Sequence, residues 1–477
     1  MNDPKIITRF APSPTGFLHI GSLRTAFYTY LFAKHNKGLF YLRIEDTDQK
    51  RRVEGAVENL IEILHFFGLN WDNEKIMIQS ERLDIYKKFA HQLVAEGKAY
   101  YCFCTEQRLD DLKKIQAQKK LPPSYDGKCR EVGLDEAQKR ITAGEGYVIR
   151  FKMPKTGTTE FIDLIRSKIT FDNKILDDQI IMKSDGFPTY HLAAVVDDHE
   201  MEITHVIRGD EWLSSTPKHI LLYQAFGWNA PAFAHLPLNL NPDKTKLSKR
   251  QGDVAVEDFL KKGFLRETLL NFVLLLGWNP GTDQEIFTAE EMIKQFSLEK
   301  VSKSASIFDI KKLEWLNGEY IRMKSIDELT KLCRPYLQEY EIDADSDYLK
   351  KAVATEQKRI KILSEITLAL EFFFKEPVYD SQLLIWKKTN EKETAKNLEI
   401  LNNRLGQIPA AKWQEKPLED EIKDFITASG KGTGDLLWPM RVALSGRKAS
   451  PGPFEIAAVL GKEKTIARIN AAIKKLL

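Results

Sequence analysis

Cysteine is scarce in this chain: four in 477 residues, too few and too unevenly spaced for a disulfide framework, which points to a reducing compartment. No stretch approaches the roughly 20 consecutive apolar residues that cross a bilayer, and Met1-Asn2-Asp3-Pro4-Lys5 lacks the apolar core of an export signal. The expectation is a cytoplasmic protein with no membrane partner. Internal repeats and low-complexity tracts are absent too. So is a strong net charge: 71 Lys and Arg against 68 Asp and Glu leave only +3, which by itself does not announce a nucleic-acid binder. The distribution says more, because Lys431 to Leu477 carries nine basic against three acidic residues. Such a local excess attracts phosphates, the bland alternative being a solvated helical tail. Hydrophobic residues, 43% of the chain, suffice for ample cores, and the length implies three or four domains.

The most informative stretch runs Arg9-Phe10-Ala11-Pro12-Ser13-Pro14-Thr15-Gly16-Phe17-Leu18-His19-Ile20-Gly21-Ser22. Before it, Ile6, Ile7 and Phe10 suit a buried strand; after it, Leu23, Ala26, Phe27, Tyr30 and Leu31 recur at helical spacing. Pro12 and Pro14 stiffen the connection, Gly16 and Gly21 allow close backbone approach, and Ser22 is the expected helix cap. A helix N-terminus facing a rigid loop is a phosphate site, with His19 as an added donor. Gly38 to Ile44 reads as a second strand, completing a βαβ unit of the doubly wound kind, whose ligands bind at the carboxyl ends of the strands.

Ala11-Pro12-Ser13-Pro14-Thr15-Gly16 with His19-Ile20-Gly21-Ser22 resembles the first signature of class I aminoacyl-tRNA synthetases of the bacterial glutamyl type, and Lys246-Leu247-Ser248-Lys249-Arg250 resembles the second. A His-Ile-Gly tripeptide alone would be weak; two signatures in order, with Arg43-Ile44-Glu45-Asp46-Thr47-Asp48 between them, are strong. The first signature departs from the class pattern in having Ser22 in place of a second His. The resemblance implies an α/β catalytic domain, a Rossmann-like doubly wound parallel sheet with an α/β insertion, followed by an all-α anticodon-binding domain. It implies catalytic halves at 1–100 and 190–242, an insertion at 101–189 that receives the acceptor end of tRNA, a stem-contact linker at 243–325, and the anticodon-binding domain at 326–477. The region after Ile326 shows no convincing strand series, which separates it from the β-barrels of the glutaminyl relatives.

The activity so implied is ligation of L-glutamate to tRNA(Glu), using ATP and Mg²⁺, by a monomer. Two variants keep the chemistry: an enzyme that also charges tRNA(Gln), and a tRNA-modifying glutamyl transferase. Carried over position by position, ATP contacts fall on Pro12, Thr15, Gly16, His19, Gly21, Ser22, Lys246, Ser248 and Lys249, with His19, Lys246 and Lys249 catalytic. Glutamate contacts fall on Arg9, Ala11, Ser13, Glu45, Tyr190 and Arg208. Two arginines have a physical rationale. Glutamate and glutamine differ by a carboxylate against an amide of nearly equal size, so a buried guanidinium left without its counter-charge discriminates where shape does not.

Cys102, Cys104 and Cys129 offer three thiolates for Zn²⁺. Glu131 stands where family members have a fourth-ligand His, and Tyr125 is the alternative fourth ligand; the other reading is three buried free thiols. Asp197, Asp198, His199 and His205 match no metal-ligand spacing and do not indicate a hydrolase. Arg359, Arg441, Arg447 and Lys448 are carried as a group of anticodon-side contacts.

Overall fold

The computed structural model describes residues 5–245, 255–338 and 347–477. Its strands are, in chain order, β1 (Ile7–Phe10), β2 (Leu39–Ile44), β3 (Met77–Ile78), β4 (Ala99–Cys102), β5 (Val148–Phe151) and β6 (Thr158–Asp163). They continue with β7 (Ser167–Asp172), β8 (Ile180–Met182), β9 (His205–Gly209), β10 (Ala232–Leu236), β11 (Asn239–Leu240) and β12 (Ser306–Ile307).

All four residues of β1 are buried, as a strand covered on both faces requires. It runs parallel to β2, Ile7 opposite Leu39 and Phe10 opposite Leu42, and helix α1 (Ile20–His35) makes the crossover. Gly38 is fixed by sterics, because a Cβ there would collide with the carbonyl oxygen of Ile6. The main sheet has the order β3-β2-β1-β9-β10-β6-β7 and is parallel except for the final β6–β7 hairpin. The chain thus leaves β1 in one direction through β2 and β3 and returns on its other side through β9 and β10. The carboxyl ends of β1 and β9 flank the switch point where such sheets bind ligands.

The hairpin belongs by sequence to the 101–189 excursion, yet it extends the main sheet beside β10, with Phe233 opposite Asp163. In β6 Thr159, Phe161 and Asp163 are buried while Thr158, Glu160 and Ile162 are exposed, the alternation of a strand with one covered face. The rest of the excursion holds the antiparallel sheet β4-β5-β8 and two helices, Glu106–Gln118 and Leu134–Thr142. Helix Tyr190–Glu200 lays Leu192, Val195 and Val196 into a core shared with Tyr86, Leu93, Phe151, Val206 and Phe233.

Two compact units divide the chain: Met1–Phe259 with Leu269–Asp309, and Leu260–Thr268 with Ile310–Leu477. The stretch 243–325 is therefore shared between them. In the second unit the described residues from Ile326 onward form helices and no strand. Their starts and stops follow local chemistry. The Ser325 hydroxyl accepts the Glu328 amide, Asn390 Oδ1 accepts the Glu393 amide at 2.9 Å, and Gly430 and Gly446 take the left-handed C-cap conformation. Leu329, Cys333 and Leu337 bury one face of Ile326–Leu337, and Leu398, Leu401 and Leu405 one face of Glu391–Gln407.

Candidate active site

A cleft of about 1480 Å³ opens over the carboxyl ends of β1, β2 and β9, lined by the Arg9–Ser22 loop, residues 45–52, Tyr190 and Arg208. Pockets for one small ligand hold about 300–1,000 Å³, so this cleft has room for two. The carbonyls of the two loop prolines pin it in place: Pro12 accepts the Glu45 amide at 3.0 Å and Pro14 accepts the Val53 amide at 2.9 Å. Gly16, at φ 146°, occupies backbone space that side chains disfavour.

Helix α1 starts three residues earlier than a cap at Ser22 would place it. Its cap is His19, whose Nδ1 accepts the amides of Gly21 at 3.1 Å and Ser22 at 3.2 Å. The physical reason is reach: an imidazole one residue before the first turn meets the amides that a serine inside that turn cannot. With Nδ1 accepting, Nε2 carries the proton, and it lies 3.0 Å from Ser22 Oγ. The Gly21 and Ser22 amides are thereby satisfied by the imidazole, and the Ser22 hydroxyl meets the other ring nitrogen.

Beneath the loop lies a buried ionic cluster that joins distant segments. Arg9 Nε donates to Asp198 Oδ1 at 2.9 Å, Arg43 Nη1 donates to the same oxygen at 2.7 Å, and Arg43 Nη2 donates to Glu45 Oε1 at 2.8 Å. Asp197 accepts from Gln79 at 2.8 Å, Arg82 at 3.0 Å and the Tyr86 hydroxyl at 2.8 Å. Burial penalises the Asp198 carboxylate, but Arg9 and Arg43 outweigh this and hold it below the ordinary range. For Glu45 burial wins and its carboxyl is raised, with Arg43 and Arg9 pulling the other way. Asp197 and Asp198 are thus counter-ions for arginines, in keeping with their mismatch to metal-ligand spacing.

Arg208 is held differently. It is 5% exposed, and among the described residues it contacts only neutral acceptors. Nη1 donates to the Tyr190 hydroxyl at 3.0 Å, Nη2 to Thr216 Oγ1 at 2.8 Å and Nε to His235 Nε2 at 3.1 Å. His219 lies 3.4 Å from Nη1 and continues to His191 at 3.0 Å. Burial, then Arg208, lower His219 well below its ordinary value; burial, with Lys218 and Arg208 adding, brings His191 down to about 3. Arg9 therefore has its counter-charge inside the protein, whereas Arg208 presents a buried cation with no carboxylate partner among the described residues.

Cys102, Cys104 and Cys129 converge, their sulfurs all within 4.8 Å of one another. The Tyr125 hydroxyl joins them, 3.3 Å from Cys102 Sγ and 3.5 Å from Cys104 Sγ. Arg150 Nε donates to Cys102 Sγ at 3.4 Å and Arg108 Nη1 to Cys104 Sγ at 3.5 Å, cations suited to thiolates. Glu131 is not brought in: its side chain is 87% exposed, 3.9 Å from Arg130 Nε.

Lys246, Ser248 and Lys249 lie outside the described residues. In the helical unit Arg359 bonds Glu356 at 3.1 Å and Arg447 bonds Glu371 at 3.3 Å, while Arg441 is half-buried and Lys448 exposed. Burial raises Glu356 to about 7 against the pull of Arg359 and Arg447, which places both arginines around one carboxyl. The sequence assigns nothing to Asp163, Thr216, His219 or His235, and no local pattern marks Asp163 as facing inward.

Residues 5–315 match the family described as tRNA synthetases class I (E and Q), catalytic domain, and residues 328–473 match an anticodon binding domain. Fold and cleft are those of a class I tRNA synthetase. A glutamate–tRNA ligase of Clostridium tetani is 46% identical over 486 residues, covering 100% of this chain and 99% of the relative. One from Dehalococcoides mccartyi is 44% identical, covering 99% and 98% respectively. The crystal structure of a glutamate tRNA ligase from Elizabethkingia meningosepticum in complex with its amino acid superposes with a TM-score of 0.91 at 36% identity, covering 99% of this chain and all of that one. The chain belongs to the glutamate–tRNA ligase family.

Proposed function

We propose that this chain activates L-glutamate with ATP and transfers it to the 3′-terminal adenosine of tRNA(Glu). The observation that carries the reading is Arg208, a buried guanidinium facing only neutral acceptors in the same cleft as a phosphate-type loop and helix start. The glutamate side-chain carboxylate supplies the missing charge; glutamine leaves it unmet. Arg9, locked by Asp198, adds a directed donor, Ala11 and Ser13 line the amino-acid side, and Glu45 takes the ammonium group, whose charge favours the ionised form that burial opposes.

The α-carboxylate oxygen attacks the α-phosphorus, pyrophosphate leaves, and a ribose hydroxyl of the terminal adenosine then attacks the acyl carbon with loss of AMP. The site acts by alignment and charge stabilisation. Pro12, Thr15 and Gly16 border the phosphates, His19 donates from Nε2, and Gly21 and Ser22 hold its tautomer. Lys246 and Lys249, with Ser248 between them, neutralise the leaving pyrophosphate, and ATP enters as its Mg²⁺ complex.

Three sulfurs and the Tyr125 hydroxyl fit a tetrahedral Zn²⁺ site, which would brace the 101–189 excursion for the acceptor end of tRNA. Arg359, Arg441, Arg447 and Lys448 serve the anticodon side. We assign the protein to the cytoplasm as a monomer; no helix among the described residues is long and apolar enough to cross a membrane.

The test is aminoacylation of purified tRNA(Glu) and tRNA(Gln) in parallel with labelled glutamate and ATP. Charging of tRNA(Glu) alone is expected. Charging of both identifies a relaxed enzyme, and charging of neither overturns the reading.

A further inference from the structure

The orientation of Arg208 depends on an acceptor whose own state is not fixed by Arg208. His235 Nε2 accepts from Arg208 Nε only if its proton sits on Nδ1, since a proton on Nε2 would set donor against donor. Nδ1 lies 2.6 Å from Asp163 Oδ2, and both side chains are fully buried. The same Asp163 oxygen also accepts the His235 amide at 3.1 Å. The other carboxylate oxygen accepts the amides of Ile165 at 2.9 Å and Arg166 at 2.8 Å in the β6–β7 turn. Asp163 therefore has no donor to offer and cannot rotate without losing its turn, so it enforces the Nδ1–H tautomer of His235.

We propose that Asp163 and His235 are positioning residues for glutamate recognition: Asp163 fixes the His235 tautomer, and His235 fixes the plane in which Arg208 presents its outward guanidinium nitrogens. This rests on Arg208 being the receptor of the glutamate carboxylate. The acid comes from a hairpin outside the nucleotide-binding strands and acts across two intervening side chains. Burial penalises the ionised form of Asp163, but hydrogen bonds from His235 and from the Arg166 and Ile165 amides outweigh that penalty and hold its carboxyl below the ordinary range. Burial likewise lowers His235, although Asp163 pulls upward, which agrees with a neutral ring.

In Asp163→Asn the turn amides retain the amide oxygen, and the NH₂ group faces both His235 Nδ1 and the His235 backbone amide, which loses its acceptor equally in the single and the double variant. Nδ1 is then forced to accept and Nε2 carries the proton, which the Thr216 hydroxyl 3.0 Å away can accept in a hydrogen bond, so that Arg208 Nε loses its acceptor and the guanidinium plane is no longer held from that side. In His235→Gln the amide oxygen accepts from Arg208 whatever stands at 163. The experiment measures the KM for glutamate, the KM for ATP and kcat in aminoacylation for Asp163→Asn, His235→Gln, the double variant and Arg208→Ala. Expected are a rise of about tenfold or more in the glutamate KM for Asp163→Asn, with the ATP KM within about twofold, and rescue of most of that rise by His235→Gln in the double variant. A merely structural Asp163 would raise both KM values, or would raise the glutamate KM equally with His or Gln at 235; either result overturns the relay. If Arg208→Ala leaves the glutamate requirement unchanged, the underlying reading of Arg208 fails, a result distinct from the other two.

Discussion

Arg208→Ala is the sharpest perturbation of the cleft. The guanidinium is 5% exposed, and among the described residues it meets no carboxylate, so on the proposed reading bound glutamate would provide its countercharge. Removing one member of a buried ion pair costs about 3–5 kcal/mol. At about 1.4 kcal/mol per tenfold, the glutamate KM should rise by roughly a hundredfold to a few thousandfold. The ATP KM should stay within about threefold, because the proposed phosphate contacts lie on the His19 loop and not on β9. The assay is aminoacylation with labelled glutamate, titrating glutamate at saturating ATP and tRNA and then the reverse. Arg9→Ala supplies the contrast: Asp198 would be left with Arg43 as its remaining guanidinium partner, so this variant should lose thermal stability as well as glutamate affinity. Equal shifts in both KM values for Arg208→Ala, or a glutamate shift below about tenfold, would refute the reasoning.

Glu356 should make the helical unit pH-sensitive. Its carboxyl is raised from 4.5 to about 7, so the folded state holds the proton more tightly than the unfolded chain does. The associated stability is fully present below about pH 4.5 and is lost as pH rises through about 7; at about 1.36 kcal/mol per pH unit, the loss approaches about 3 kcal/mol. Glu356→Gln should therefore melt higher than the parent at pH 8 but not at pH 4.5, and an identical difference at both would sink this assignment. For the cysteine cluster, metal analysis of protein purified without chelator should find about one Zn²⁺ per chain, reduced by more than half in Cys129→Ser. No stoichiometric metal in the parent would dispose of the site.

What the sequence reveals and what it conceals divide along contact distance. The first strand, the loop, α1 and the second strand are legible because hydrophobic spacing, prolines and glycines act within a few residues. Arg9, Glu45, Tyr190 and Arg208 are legible only through resemblance, and the structure brings them to one cleft. Their supports are not legible, since Arg9 finds Asp198 across 189 positions and His235 finds Asp163 across 72. No local pattern marks an aspartate as the counter-ion of a distant arginine. The helix cap was missed for another reason: serine is the commoner cap, and only the position of the first turn reveals that His19 has taken that role. Nothing local announces the strand Thr158–Asp163, whose apolar Ile162 is exposed and whose Asp163 is buried, or announces that its neighbour is β10.

That neighbour has consequences for how the chain can be cut and recombined. A segment flanked by the two halves of a nucleotide-binding sheet invites treatment as a cassette, to be removed or exchanged between relatives at 101 and 189. Here such an exchange would also replace two strands of the recipient's sheet and the aspartate behind His235. Chimaeras should therefore retain the parental 158–172 hairpin and graft only the antiparallel sheet and helices outside it. A transplant that crosses the hairpin would carry the support of Arg208 with it, so that, on the proposed roles of Arg208 and of the excursion, substrate selection and tRNA contact would be inherited together.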